Sequence, residues 1–146
     1  MSLLALALVV AAGPKPLAQV PHFNGKFVWI KLGKVPTGSL AHAKVIALDL
    51  SIPRDVRLKK DGNGNQWFTF ILADQGSDWK WHQSTGAGVL PVKGGVVKAG
   101  TYTLEIPTTG LPASVLRDRQ QTVSLGPGTS GLMAPASFTV LRLRGR

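Results

Sequence analysis

From Ala43 to Ile52 the chain reads AKVIALDLSI, in which Ile46, Leu48 and Leu50 alternate with Val45, Ala47, Asp49 and Ser51. Successive side chains of a β-strand point to opposite faces, so this period of two predicts a strand with one strongly apolar face. Gln66 to Ala73 (QWFTFILA) repeats the pattern with Phe68, Phe70 and Leu72 against Trp67, Thr69, Ile71 and Ala73, and is apolar enough to be covered on both faces. Gly100 to Ile106 (GTYTLEI) alternates strictly, with Tyr102, Leu104 and Ile106 inward and Thr101, Thr103 and Glu105 outward. Shorter strands are predicted at Lys26 to Leu32 (KFVWIKL), Trp79 to His82, Thr122 to Leu125 and Ser137 to Leu143.

Turn chemistry separates these segments. Pro14 to Gly25 is rich in Pro and reads as an irregular crossing, and Pro53 and Pro107 close the strands before them. Arg54 to Asn65 is a basic loop whose Asp61-Gly62 and Asn63-Gly64 pairs tolerate positive φ and mark a hairpin tip. Gly94-Gly95 and the run Gly126, Pro127, Gly128, Gly131 and Pro135 read as further turns and loop, and Leu111 to Arg117 as one helical turn begun by Pro112. Short strands with Gly/Pro punctuation and no helical period predict one all-β domain over residues 1–146, an antiparallel β-sandwich of jelly-roll topology.

Composition agrees. Glu105 is the sole Glu, whereas helical surfaces draw heavily on Glu. A chain of 146 residues buries roughly 70% of its extended surface, enough for a core without metal or disulfide staples. Residues 1–13, with the apolar run Leu3 to Ala12, read two ways: as a buried first strand, or as the remnant of a signal segment that lacks the usual basic start.

Candidate chemistry narrows the function. With no Cys, there is no thiolate metal site and no cysteine nucleophile. His22, His42 and His82 stand in no motif with a Ser or an acid, and the few carboxylates fall mostly on turns, so the expectation is a chain that is not an enzyme and has no catalytic residues. The Gly-rich stretches lack the Lys-Ser/Thr of a phosphate-binding loop. Asp61, Asn63 and Asn65 alternate as the oxygen ligands of a calcium loop do, but the downstream bidentate Glu is missing and a turn is the better reading.

The aromatic stretch DQGSDWKWHQS differs in character, because it holds almost no aliphatic residues to pack a core. On a strand, Trp79 and Trp81 share one face about 7 Å apart. Flat indoles beside planar polar groups suit sugar rings, whose C–H faces stack while their hydroxyls find hydrogen bonds. The expected ligand-binding set is Trp79 and Trp81, with Asp74, Asp78, Lys80, His82 and Gln83 as a polar fringe; Lys80 and His82 point to the opposite face. Trp67 is a candidate extension, although Trp67 and Trp29 are both expected in the core.

The succession FTFILAD, WKW, GTYTLEIP, TVSLGPGTSG and the closing P-x-x-F-T-V-L-R-L resembles, over residues 43 to 143, the galactose-binding-like jelly-roll modules attached to β-mannanases and endoglucanases. The resemblance implies a non-catalytic carbohydrate-binding module that takes a polysaccharide or oligosaccharide. It implies an extracellular or cell-surface location, an attached glycoside hydrolase domain as partner, and no cofactor beyond room for a structural calcium ion. Two rivals stay open: a jelly-roll structural subunit of a virion or surface layer, and a basic nucleic-acid-binding β-domain. The second draws on 17 Lys plus Arg against 7 Asp plus Glu, a formal net charge of +10. Its basic groups lie at predicted loops and termini rather than among the tryptophans, which argues against nucleic acid. No membrane span is expected, since the apolar run at Leu3 to Ala12 is about half the roughly 20 residues a spanning helix needs.

Overall fold

The computed structural model describes residues 15–32, 40, 42–75, 80–111 and 123–146, and every regular element among them is a strand. In chain order these are β1 (Ala18–Phe23), β2 (Ile30–Lys31), β3 (Val45–Ile52), β4 (Val56–Arg57), β5 (Phe68–Gln75) and β6 (Trp81–Gln83). They continue as β7 (Gly88–Val89), β8 (Val96–Val97), β9 (Gly100–Pro107), β10 (Ser124–Thr129) and β11 (Ala136–Gly145). One sheet has the order β1-β11-β3-β9; the other has β2-β10-β5-β6, with β7 also paired to β5, and β4 and β8 form a small ribbon. All pairings are antiparallel.

The predicted alternation governs how the sheets meet. Ile46, Leu48, Leu50 and Ile52 of β3, Leu104 and Ile106 of β9, Phe68, Phe70 and Leu72 of β5 and Leu125 of β10 are all buried in one cluster. Aromatic rings tie the two sheets together. Phe138 of β11 meets Phe70 of β5 edge-on at 5.5 Å and Phe68 at 6.2 Å, and Phe23 of β1 lies 5.7 Å from Phe68. Burial of each such side chain contributes about 1.5–3 kcal/mol, and the edge-on geometry adds to it. The result is a β-sandwich with one apolar core between its layers.

Three local readings are corrected. Within Pro14 to Gly25, expected to be irregular, β1 pairs with β11 through Ala18↔Val140, Gln19↔Thr139 and Val20↔Phe138, then breaks register before Phe23↔Ala136. The break falls at Pro21, which has no N–H to give; an edge strand tolerates that. Gly126, Pro127 and Gly128 are strand rather than loop, pairing with Ile71, Phe70 and Thr69 of β5. β2 pairs only with Ser124 and Leu125, so at Pro127 that side of β10 has no ladder from β2 to break. The strand expected over Lys26 to Leu32 pairs only at Ile30 and Lys31. The readings on residues 1–13, on Pro112 to Arg117 and on Thr122 lie outside the described residues.

The closing strand contains a bulge. Val140 is opposite Leu50, Arg142 opposite Asp49 and Leu143 opposite Leu48, so Leu141 is one residue too many. Strict alternation after Phe138 and Val140 would have driven Arg142 into the core. The extra residue flips the register, so that Leu143 is buried while Arg142 and Arg144 face outward.

Candidate functional site

Phe68, Phe70 and Leu72 of β5, Leu125 of β10 and Ile30 of β2 all pack against the core. Alternation therefore turns Thr69, Ile71 and Ala73, Gly126 and Gly128, and Trp29 and Lys31 to the outer face of the second sheet. β6 adds Trp81 opposite Gln75 and Gln83 opposite Ala73, on the same outer series. The floor of this face is small in its centre, with Gly126, Gly128, Ala73 and Ser124.

Aromatic rings from separate strands converge over that floor. Trp29 and Trp81 meet edge-to-face, ring centroids 5.0 Å apart and planes at 73°. Phe27 meets Trp29 at 4.9 Å and 89°. Gly126 lies directly beneath: a β-carbon there would sit 2.6 Å from Phe27 Cζ and 2.8 Å from Trp29 Cζ3. At Gly128 a β-carbon would lie 3.4 Å from Trp67 Cζ3 and 3.8 Å from Phe27 Cδ2. The rings thus form a row, Trp67, Phe27, Trp29, Trp81, whose central approach to the sheet requires glycine. Phe27 is 51% and Trp81 48% exposed, so the row presents ring surface to solvent.

Trp67 is fixed by the turn that precedes it. Its Nε1 donates to Asp61 Oδ2 at 3.0 Å, and its backbone N–H donates to Ser130 Oγ at 3.0 Å. Asp61 Oδ1 accepts the N–H groups of Asn63 and Asn65, both at 2.9 Å, so the carboxylate organises the turn rather than standing ready for calcium. The Trp67 indole N–H above all, then the Asn65 and Asn63 amides, holds the Asp61 carboxyl below the usual carboxylate range. Among the described residues no three His, Asp or Glu side chains gather where they could hold a metal ion.

The expected site residues divide. Trp81 and Gln83 are exposed on the outer face, and Lys80, just before β6, is exposed as well. Asp74 does not belong to the fringe: it continues the inward series of Phe68, Phe70 and Leu72, is 1% exposed, and lies opposite His82. His82 follows it to that side of the sheet, as its parity on the strand requires. Asp78 and Trp79 lie outside the described residues. Trp29 and Trp67, expected in the core, are half-buried members of the outer row, because Ile30 and Phe68 take the inward positions beside them. Phe27 and Gln75 were missed. The signal for Phe27 was present in Phe27-Val28-Trp29, an aromatic pair at the same spacing as Trp79 and Trp81, and in the matching spacing of Gly126 and Gly128.

The outer face of the first sheet is different in kind. Asp49 is 4% exposed and receives Thr103 Oγ1 at 2.6 Å, Arg142 Nε at 2.5 Å, and Arg144 through Nε and Nη2, both at 3.1 Å. Burial alone would raise its pKa; the hydrogen bonds from Thr103, Arg142 and Arg144 more than offset that and hold it at about 2. Arg146 pairs with Glu105 at 3.0 Å. The arginines of the closing strand are thus engaged on the sheet opposite the aromatic row. No helix among the described residues is long and apolar enough to cross a membrane. Comparison of the chain with protein-family models, with curated proteins and with solved structures finds no match.

Proposed function

We propose that this chain is a non-catalytic carbohydrate-binding module that holds a polysaccharide or oligosaccharide on the outer face of the β2-β10-β5-β6 sheet. The observation that carries the reading is the row of Phe27, Trp29 and Trp81, in which Phe27 and Trp29 lie over Gly126 and Phe27 and Trp81 are about half open to solvent. A soluble domain has little reason to expose contiguous aromatic surface unless something stacks on it. Because neighbouring rings meet edge-to-face, at 89° and 73°, they brace one another, and the exposed faces of Phe27 and Trp81 are the surfaces offered to a pyranose, with Gln75 and Gln83 beside Trp81 on the same outer series. A jelly-roll topology is part of the same reading. It is supported by a strand order in which the first and last of the described strands are neighbours and the chain passes repeatedly between the two sheets. An extracellular or cell-surface location and an attached glycoside hydrolase follow from the proposed role.

The test is a glycan array followed by titration of the best ligand into the parent chain and Trp81→Ala. Trp81→Ala should weaken binding by about 1–3 kcal/mol, the range for aromatic stacking on nucleic-acid bases, with a nearly unchanged thermal midpoint. Affinity for a neutral glycan should change little between low and moderate salt. A steep fall with salt would instead identify a polyanion ligand through counterion release. Unchanged binding by Trp81→Ala, or the stability loss of about 3–5 kcal/mol that truncating a buried Trp brings, would overturn the site.

A further inference from the structure

A second recess shares no residue with the aromatic row. Between β1, the segment Arg54 to Arg57 and the stretch Met133 to Ser137 lies a cleft of about 410 Å³. Arg54, Arg57 and His22 line it with nitrogen donors, and Met133 and Pro135 supply an apolar wall. Among the described residues Asp55 is the only carboxylate on the lining, and its hydrogen-bond partners lie outside the cleft. Its Oδ1 accepts the Ala99 N–H at 2.9 Å and its Oδ2 accepts Lys98 Nζ at 3.2 Å. The Ala99 amide first, and then Lys98, hold the Asp55 carboxyl below its usual range, with the charge of Arg57 a smaller contribution. Among the described residues neither Arg54 nor Arg57 forms an ion pair.

The backbone around the cleft is held in place. Met133 N–H donates to Arg57 C=O at 3.0 Å, and Ser137 Oγ donates to Pro21 C=O at 2.8 Å, so the three segments that line the cleft are tied to one another. Val56 is buried and β4 pairs with β8, which holds Arg57 in place along its strand. Two guanidinium groups on a braced backbone, beside an apolar wall, match the chemistry of an oxygen anion carried on a carbon skeleton.

We infer that this cleft binds the oxyanion of an acidic sugar, a carboxylate, sulfate or phosphate substituent, with Arg54 and Arg57 as the charged donors and Met133 and Pro135 against the C–H face of the ring. The sugar part rests on the glycan reading of the aromatic face; the oxyanion part does not.

The experiment is an NMR titration of the full chain with sodium sulfate, glucuronate, glucose 6-sulfate and glucose, following the amides of Arg57, Met133 and Ser137. Saturable shifts at these residues with the acidic sugars, tighter than with inorganic sulfate and absent with glucose, are expected. Arg54→Gln/Arg57→Gln should weaken acidic-sugar binding roughly tenfold or more, the scale of losing charge-assisted hydrogen bonds. Its thermal midpoint should be unchanged, since both side chains are exposed. Trp81→Ala should leave these shifts intact, which separates failure of the cleft from failure of the aromatic face. Equal binding of inorganic sulfate and the acidic sugars would keep the oxyanion site and overturn the sugar assignment. No saturable shift, retention of binding in the double variant, or an equal loss with the exposed control Lys60→Gln would overturn the site.

Discussion

Replacing Gly126 by Ala tests whether the aromatic row is a built surface or a chance gathering of rings. The new β-carbon would sit 2.6 Å from Phe27 Cζ, 2.8 Å from Phe27 Cε2 and 2.8 Å from Trp29 Cζ3, all closer than van der Waals contact. Both rings must therefore move. The backbone itself accepts Ala, because Gly126 does not have a positive φ and lies in β10 paired with Ile71. Overpacking typically costs about 1–3 kcal/mol, and the lower end applies because Phe27 is 51% exposed and can tilt into solvent. Against this, removing a strand glycine recovers about 0.5–1 kcal/mol of backbone entropy. Stability should thus stay within about 1 kcal/mol of the parent.

The rings, by contrast, should lose their arrangement. Near-ultraviolet circular dichroism reports the Trp29–Trp81 contact, now 5.0 Å at 73°, and its aromatic bands should weaken without any ligand present. Glycan affinity should fall by about 1–3 kcal/mol, one stacking platform. Gly88→Ala is the matched control. Its β-carbon would lie 2.9 Å from Leu104 Cβ and 3.1 Å from Ile106 Cγ1, both buried core residues that cannot swing outward. That variant should lose about 2–3 kcal/mol of stability and keep the aromatic dichroism. A Gly126→Ala chain with unchanged dichroism and affinity, or one destabilised as much as Gly88→Ala, would refute the reasoning.

Two further expectations concern acid. Asp49 has its pKa lowered from 3.8 to about 2, so its contribution is complete above the unfolded value near 4 and is lost as pH falls through about 2. Because Arg142 and Arg144 are partly solvated, Asp49→Asn should cost about 1–2 kcal/mol at pH 7 in denaturant unfolding, and it should flatten the stability profile between pH 4 and 2; equal slopes in parent and variant would refute this. The Asp61 carboxyl is likewise held low, so acidification through and below its usual range should release the Trp67 indole, seen as a shift of the Nε1 proton resonance. Asp61→Ala should show the released position at neutral pH, and an indole resonance unaffected by both changes would contradict the turn geometry.

The inner and outer faces of β3 and β9, and the division of β5 into two alternating series, were legible from alternation alone, because a strand's side-chain period is a local property of the backbone; which series of β5 turned inward was not, since Trp67 was expected in the core. The all-β character followed for the same reason, together with the scarcity of Glu. The tetrad Trp67, Phe27, Trp29 and Trp81 was not legible, since strand pairing across β2, β10, β5 and β6 decides which distant residues meet. Gly126-Pro127-Gly128 carried a strong local turn signal that the fold overrode. The missing Pro127 N–H falls where β2 no longer pairs, and at Gly126 the absent β-carbon is the space that Phe27 and Trp29 occupy. Arg142-Leu143-Arg144 likewise reads as a break in the closing strand's pattern until the bulge at Leu141 restores it. Alternation fixed which side each residue could face; only the pairing of strands far apart in the chain decided what it would find there.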